Sequence, residues 1–164
     1  MQTDNEIYGL AMNPYDIKRS CGGSSGGEGG LIGARCSPLG MGTDIGGSIR
    51  TPANFCGTFG FKPTPFRVSY GGVILPVPDG CCPQGIIKSV IGPLANSTND
   101  IKFATEVLFR SHEVDITVPA LPFNQTTYQD IVSKKKKTLR IGYFDELSLI
   151  PTSKSVKRAI KLVV

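Results

Sequence analysis

The sequence predicts a protein of the α/β class. Segments with helical periodicity alternate with short extended apolar segments along the 164 residues, the order typical of a sheet packed against helices. With 40% hydrophobic and 19% charged residues, the chain can bury an ordinary globular core. Thirteen of its twenty glycines lie between Gly22 and Gly60, mixed with apolar residues, which indicates ordered backbone rather than a flexible linker. The length favours one domain over residues 1–164.

In the N-terminal part, residues 1–6 are polar and predict no element, and residues 13–16 predict a turn. A helix is predicted to begin within residues 22–30, because a serine is followed by a glutamate at the spacing of a helix N-cap. Residues 37–47 have the composition of a loop. Residues 51–57 predict a short helix, with proline in its first turn and glycine at its end.

The remaining elements alternate in type. A helix is predicted over residues 97–110, with Ser97 or Asn99 as its cap. The other expected segments are a turn at 61–65, a strand at 67–70, a Gly/Pro-punctuated stretch at 71–92 with apolar pieces at 73–75 and 85–87, a strand at 139–144 and a helix at 153–164.

Charge and cysteine usage exclude several functions. The net charge of +5 comes largely from the run Lys134–Lys137, which has no interleaved aromatic residues and is predicted to be a solvated loop rather than a nucleic-acid site. The five cysteines include no C-x-x-C pair, so neither a zinc site nor any other metal or cofactor is expected. We find neither a signal peptide nor an apolar run of membrane-spanning length, which favours an intracellular protein.

Two Gly-rich signatures can be set aside. The sequence has no Gly-Lys pair for a phosphate loop and no glycine triple at dinucleotide-binding spacing.

Ser24 and Ser25 each fit G-x-S-x-G, and Asp79 or Asp100 followed by His112 would complete the chain order of an α/β-hydrolase triad. Residues 15–21 do not resemble the strand that must precede such an elbow, so this interpretation is disfavoured.

A second interpretation involves two serine–glycine loops, at Ser24 and Ser48. Residues 43–48 offer successive backbone N–H groups that can converge on an oxyanion. Acyl transfer requires such donors, each of which stabilises the tetrahedral intermediate by roughly 3 kcal/mol. A second hydroxyl could relay the proton of the nucleophile to a base. The alternative, two Gly/Ser turns without chemistry, stays open on spacing alone.

The segments 22–27, 40–50 and 60–64 closely resemble the amidase signature. This resemblance implies a mixed twisted sheet flanked by helices and a Ser–Ser–Lys triad. It implies that Ser48 is the nucleophile and that Ser24 is the bridging serine. It further implies that the oxyanion hole is formed by the backbone of residues 45–48, namely Ile45, Gly46, Gly47 and Ser48. Asp44 and Arg50 resemble a pair that braces this loop.

Within that family, residues 26–29, 115–123 and 139–144 are similar to the fatty acid amide hydrolase branch. The similarity implies hydrolysis of fatty acid amides, with esters as a further substrate class, through an acyl-enzyme. It also implies a homodimer and peripheral association with an intracellular membrane. The alternatives are an amidase or amidotransferase acting on other amides, and a non-catalytic amidase-like fragment.

The sequence also departs from the family pattern. Cys21 stands where proline is common, Arg35 and Cys36 stand where small residues are usual, and residues 65–66 replace a Gly-containing pair. In the family the catalytic lysine lies well upstream of the bridging serine, whereas Lys18 is the only lysine before Ser24 here. We therefore expect an incomplete amidase domain that lacks the catalytic-lysine region and the C-terminal half, and that is inactive alone.

Overall fold

A computed structural model describes residues 1–74, 87–133, 135, 140–146 and 149–164. The chain divides into two compact units, Met1–Phe123 and Asn124–Val164. The first unit begins with two small antiparallel pairs, formed by β1 (Asp4–Asn5) with β2 (Gly9–Leu10) and by β3 (Met12–Asn13) with β4 (Asp16–Ser20).

The rest of the first unit is a three-stranded sheet with helices. In chain order its elements are α1 (Gly26–Gly33), β5 (Leu39–Asp44), α2 (Arg50–Phe55), β6 (Phe59–Gly60), β7 (Val90–Ala95), α3 (Thr98–Leu108) and a 3-10 turn at Ser111–Glu113. Strand β7 lies between β5 and β6 and is antiparallel to both, with Leu39 opposite Ala95 and Asp44 opposite Val90. The α/β class predicted from the sequence is confirmed.

The core of the first unit lies where α1, α2 and β7 meet. Its four clustered members are Ile32, Ile49, Ala53 and Leu94, all nearly or completely inaccessible to solvent. Burial of such side chains is the main stabilising contribution available to a small sheet with short helices. This packing explains how α1 forms despite its glycines: Ile32 is fully buried, so tertiary contacts compensate for a poor intrinsic helix propensity.

Helix α1 ends in a Schellman motif. The N–H of Cys36 donates to the carbonyl oxygen of Leu31 at 2.9 Å, and the N–H of Arg35 donates to that of Ile32 at 3.0 Å. The motif places Arg35 in the left-handed region at a φ of 63°, a position that glycine usually occupies. The Arg35 side chain is exposed, so this departure from the family pattern affects the backbone conformation rather than packing.

The second unit contains α4 (Gln125–Val132) and α5 (Lys154–Val163). Each begins at a capping side chain. Asn124 accepts a hydrogen bond from the Thr127 N–H, and Ser153 accepts one from the Val156 N–H. Of the basic run, Lys135 is described; it is exposed, and its Nζ lies 3.7 Å from Asp130 Oδ1.

Four helix predictions are confirmed. Helix α1 begins at Gly26, within the predicted residues 22–30. Helix α2 matches the short helix predicted at 51–57, and α5 matches the helix predicted at 153–164. Helix α3 begins at Thr98 and is capped by Ser97, whose hydroxyl accepts from the Asp100 N–H, so the cap is Ser97 rather than Asn99. The turn predicted near residues 13–16 joins β3 to β4.

Several strand predictions are wrong. Residues 15–21 contain β4, because pairing with β3 imposes an extended conformation on a polar sequence. The expected loop at 37–47 contains β5, and the Gly/Pro stretch at 71–92 runs into β7. Residues 67–70 form no strand, nor do the described residues of 139–144. The apolar pieces at 73–75 and 85–87 fall largely outside the described residues.

Candidate active site

A backbone hydrogen bond joins the two serine loops. The N–H of Ser25 donates to the carbonyl oxygen of Ser48 at 3.1 Å. Ser24 immediately precedes this contact and is exposed, and the Gly23–Ser24 peptide bond is cis. Two segments separated by 24 positions in the sequence therefore meet through a backbone contact.

The Ser25 hydroxyl forms the second connection between these segments. Its oxygen accepts from the Thr43 N–H at 3.2 Å and lies 3.4 Å from the Thr43 carbonyl, to which it donates. Ser25 is the N-cap residue of α1, but it makes no side-chain capping bond. The capping expected from the serine–glutamate spacing is therefore wrong, because the hydroxyl is used to attach α1 to the end of β5.

Asp44 organises the turn that follows β5. Its side chain is fully buried and accepts three backbone N–H groups, from Gly47 at 2.7 Å, Ile49 at 3.1 Å and Arg50 at 3.2 Å. The Arg50 guanidinium adds contacts of 3.0 Å from Nε to Oδ2 and 3.0 Å from Nη2 to Oδ1. A carboxylate with this many donors fixes the backbone on both sides of Ser48.

These donors also control the charge of Asp44. Burial by itself raises the pKa of a carboxyl group. Here the Arg50 guanidinium and the three backbone donors outweigh burial and lower the Asp44 pKa from 3.8 to about 2. Asp44 is therefore ionised at neutral pH and acts as a bracing anion rather than as a proton donor.

Ser48 lies in the turn between β5 and α2 and is only 6% exposed. Among the described residues, neither the Ser48 hydroxyl nor the Ser24 hydroxyl has a hydrogen-bond partner. Within the same part of the chain, the N–H groups of Ile45, Gly46 and Ser48 have no acceptor. Within residues 45–48 the turn thus contains a hydroxyl and three backbone N–H groups that have no acceptor among the described residues, with the bonded Gly47 N–H between them.

Gly46 and Gly47 differ in their surroundings. Gly47 has a φ of 128°, and a Cβ at this position would lie 2.9 Å from Thr51 Oγ1. Its N–H is already donated to Asp44. At Gly46 a Cβ would meet no atom within 4 Å, so open space lies beside the Gly46 backbone. The backbone conformation at position 47 requires glycine, whereas the open space beside the Gly46 backbone is available to a ligand.

Two candidate members of the alternative triad form hydrogen bonds with neighbouring residues in the sequence. Asp100 Oδ2 accepts from the Ser97 hydroxyl at 2.6 Å, and His112 Nδ1 lies 3.0 Å from the Phe109 carbonyl oxygen. Both side chains are thus bonded within their own segment of the chain, and Asp79 lies outside the described residues. Lys18 is exposed on β4. In the described part of the chain, no group of three His, Cys, Asp or Glu side chains could hold a metal ion.

Sequence reasoning missed one residue at this site. The Thr3 hydroxyl contacts the Ser24 loop, with its Oγ1 3.0 Å from the Ser24 carbonyl oxygen and 2.9 Å from the Gly26 nitrogen. Thr3 lies in the polar segment that predicts no element, and no local pattern marks it. Only the pairing of the N-terminal segment with the glycine loop could have identified it.

Comparison with known proteins places this geometry in a family. The family model described as Amidase matches residues 1–164. The chain is 39% identical over 159 residues to the vitamin D3 hydroxylase-associated protein of Gallus gallus, covering 96% of this chain and 32% of that protein. It is 38% identical over 158 residues to fatty-acid amide hydrolase 1 of Sus scrofa, covering 95% and 26%.

Other relatives carry different names. Acetamidase of Aspergillus oryzae is 34% identical over 165 residues, covering 99% of this chain and 30% of that protein. Among solved structures, one of a fatty acid amide hydrolase superposes with a TM-score of 0.68 at 36% identity, covering 76% of this chain and 22% of that chain. The chain spans about a third or less of the length of these relatives. It belongs to the amidase family.

Proposed function

We propose that the protein hydrolyses fatty acid amides, and esters of similar acyl chains, through an acyl-enzyme formed on Ser48. The observation that supports this most directly is the joining of the two serine loops by the Ser25–Ser48 backbone bond, beside uncommitted N–H donors. Amide hydrolysis requires a nucleophile, a route for its proton and donors for the developing oxyanion.

In the proposed reaction, Ser48 Oγ attacks the amide carbonyl carbon and its proton passes to the Ser24 hydroxyl, which releases its own proton to a base. The carbonyl oxygen becomes an oxyanion that backbone N–H groups stabilise. Collapse of the tetrahedral intermediate breaks the C–N bond, and the leaving amine takes a proton back through Ser24. Water then cleaves the acyl ester by the same route and regenerates Ser48.

The hydrogen bonds suggest how the four expected oxyanion residues divide their work. The Gly47 N–H is bound by Asp44 at 2.7 Å, so we assign it to bracing the turn. Ile45, Gly46 and Ser48 have N–H groups without an acceptor among the described residues, so we assign the oxyanion contacts to them. The open space beside Gly46 supports this division, because a substrate carbonyl must reach the donors.

The lipid part of the proposal has a different basis. It rests on the similarity of residues 115–123 to the fatty acid amide hydrolase branch and on the 38% identity to the Sus scrofa protein of that name. The 34% identity to an acetamidase makes a short-chain amide the competing substrate. Peripheral membrane association and a homodimer are further parts of the proposal. Among the described residues, no helix is long and apolar enough to cross a bilayer.

The experiment uses a fluorophosphonate, which transfers its phosphonyl group to an activated serine with loss of fluoride. It is done on the full-length polypeptide that the gene encodes. We expect labelling at Ser48 that Ser48→Ala abolishes and Ser24→Ala slows. Ser37→Ala is the matched control, because the Ser37 hydroxyl donates to the Leu39 carbonyl oxygen outside the two loops. Labelling that survives Ser48→Ala would refute the assignment of the nucleophile.

A second measurement tests the proposed substrate class separately from the assignment of Ser48 as the nucleophile. The kcat/KM values for oleamide and acetamide are compared in the same preparation. We expect oleamide to be preferred by at least about a hundredfold, since each buried methylene contributes about 0.8 kcal/mol of binding that a short amide cannot provide. A preference for acetamide would refute the lipid proposal and leave the Ser48 assignment standing.

A further inference from the structure

The Thr3 hydroxyl contacts three backbone groups of the loop that carries Ser24. Its Oγ1 lies 3.0 Å from the carbonyl oxygen of Ser24 and 3.2 Å from that of Gly22, and it accepts from the Gly26 N–H at 2.9 Å. A hydroxyl has one proton to donate and can accept at the same time. One side chain therefore contacts the backbone on both sides of Ser24, donating its single proton to one of the two carbonyl oxygens and accepting from the Gly26 N–H.

Thr3 is itself held by backbone contacts. Its carbonyl oxygen accepts from the Ala11 N–H at 2.8 Å, and the Ala11 carbonyl oxygen accepts from the Cys21 N–H at 3.0 Å. The segment before the glycine loop is thus connected to Thr3 through Ala11. The position of the Thr3 hydroxyl is consequently fixed by the same small strands that lead into the loop.

The close approach of this segment leaves no room for a side chain at two glycine positions of the loop. A Cβ at Gly26 would lie 2.4 Å from Thr3 Oγ1, and a Cβ at Gly23 would lie 2.4 Å from the Gln2 carbonyl oxygen. Contacts this short do not occur between real Cβ atoms and their neighbours. Two glycines of the motif are therefore needed because residues 2–3 pass directly over the loop.

We propose that Thr3 is a positioning residue that sets the direction of the Ser24 hydroxyl toward Ser48, which rests on the function proposed above. Thr3 does not touch the reacting atoms. The Ser24 carbonyl lies in the peptide plane directly after the Ser24 Cα, and the Gly22 carbonyl lies two residues before it, so the Thr3 hydroxyl restrains the backbone on either side of the Ser24 side chain. Proton relay depends on such alignment, and a displacement of about 1 Å can lower a rate by about a hundredfold.

The experiment compares Thr3→Val, which keeps the shape and removes the hydroxyl, with Thr3→Ser, which keeps the hydroxyl, in the full-length polypeptide. We expect Thr3→Val to lower kcat by about 10- to 100-fold with a small change in KM. Thr3→Ser should restore kcat to within about threefold of wild type. The control is Thr105→Val, which removes a buried hydroxyl that donates to the Ile101 carbonyl oxygen in α3 at 2.6 Å.

Two outcomes would overturn the proposal. One is an unchanged kcat in Thr3→Val while wild type is active. The other is an equal loss of kcat in Thr3→Val and Thr105→Val, which would assign Thr3 a general stabilising role. Thermal unfolding of each variant shows that the compared proteins are folded.

Amide hydrogen exchange provides a readout that does not depend on activity. Thr3→Val should raise the exchange rate of the Gly26 amide by about tenfold or more, and Thr3→Ser should leave it near the wild-type rate. Unchanged Gly26 exchange in Thr3→Val would overturn the positioning role whether or not the protein is active. If wild type hydrolyses no amide while the exchange prediction holds, the proposed function fails and the contact between Thr3 and the loop stands.

Discussion

The backbone N–H of Ser25 lies 3.1 Å from the carbonyl oxygen of Ser48 and donates a hydrogen bond to it. The two residues belong to different elements, since Ser25 is the N-cap residue of α1 and Ser48 lies in the turn between β5 and α2. Because α1 and β5 are also joined through Thr43, neither serine loop can shift without disturbing the other.

Replacing each of the two adjacent glycines by alanine should separate folding from activity. Gly46→Ala should change the free energy of unfolding by less than about 0.5 kcal/mol, since its Cβ meets no atom within 4 Å. It should lower kcat/KM for oleamide by about tenfold or more, because the methyl group enters the space beside the oxyanion donors. Gly47→Ala should destabilise the fold by about 1–3 kcal/mol, because the position has a φ of 128°. Urea unfolding measures the stability of both variants, and the oleamide assay measures kcat/KM. Equal stability losses in the two variants would contradict the prediction.

Asp44→Asn should destabilise the chain far more than Asp16→Asn does. Asp44 is fully buried and accepts from three backbone N–H groups and from Arg50. In asparagine, only the amide oxygen accepts hydrogen bonds, because the amide nitrogen is a donor. We expect a loss of about 2–3 kcal/mol. Asp16 pairs with Arg19 at 3.0 Å on the surface, where such a pair contributes at most about 1 kcal/mol. Similar midpoints of urea unfolding in the two variants would show that Asp44 does not brace the turn.

The same carboxylate should make stability depend on acid pH. The folded-state pKa of Asp44 is lowered from 3.8 to about 2, so its contribution is present above pH 3.8 and is lost as pH falls through 2. Between pH 5 and pH 2, wild type should lose about 2 kcal/mol more than Asp44→Asn, in which this titration is absent. Other carboxylates contribute equally to both proteins. Parallel stability profiles over this range would contradict the lowered pKa.

Arg35→Gly should stabilise the chain. Arg35 occupies the left-handed position of the Schellman motif at the end of α1, with a φ of 63°, and its side chain is exposed. Glycine removes the Cβ clash and should raise the free energy of unfolding by about 1 kcal/mol. Arg35→Ala is the control, because it removes the charge and keeps the Cβ. An equal gain in both variants would attribute the effect to charge rather than to backbone conformation.

Residues 1–164 expressed alone should not hydrolyse oleamide above the Ser48→Ala blank. A serine hydroxyl needs a base, and its loss from a coupled catalytic unit costs on the order of 10³-fold or more in rate. In the described part of the chain, Lys18 is exposed on β4 and His112 Nδ1 is used by the Phe109 carbonyl. Turnover well above the blank would show that some residue of this chain serves as the base, and Lys18→Ala would be the next variant to assay.

The sequence by itself determined the parts of this protein that depend on local chemistry. Ser97 is one of the two caps that the sequence predicts for α3, and the helix predicted from residue 153 matches α5, because helix starts depend on only a few neighbouring residues. The serine–glycine segments around Ser24 and Ser48 also identify the amidase family, since their motifs are long and specific. These features needed no knowledge of which segments meet.

Only the tertiary structure decided the sheet and the contacts that hold the site together. Strand β7 lies between two partners although it contains Pro93, which local rules exclude from a central strand. The Ser25 hydroxyl binds Thr43 rather than capping α1, and Thr3 binds the Ser24 loop across about 20 positions. Each of these outcomes depends on two segments far apart in sequence burying polar backbone groups against each other. A hydrogen bond of that kind is specified by both partners together, so neither segment alone carries its signal.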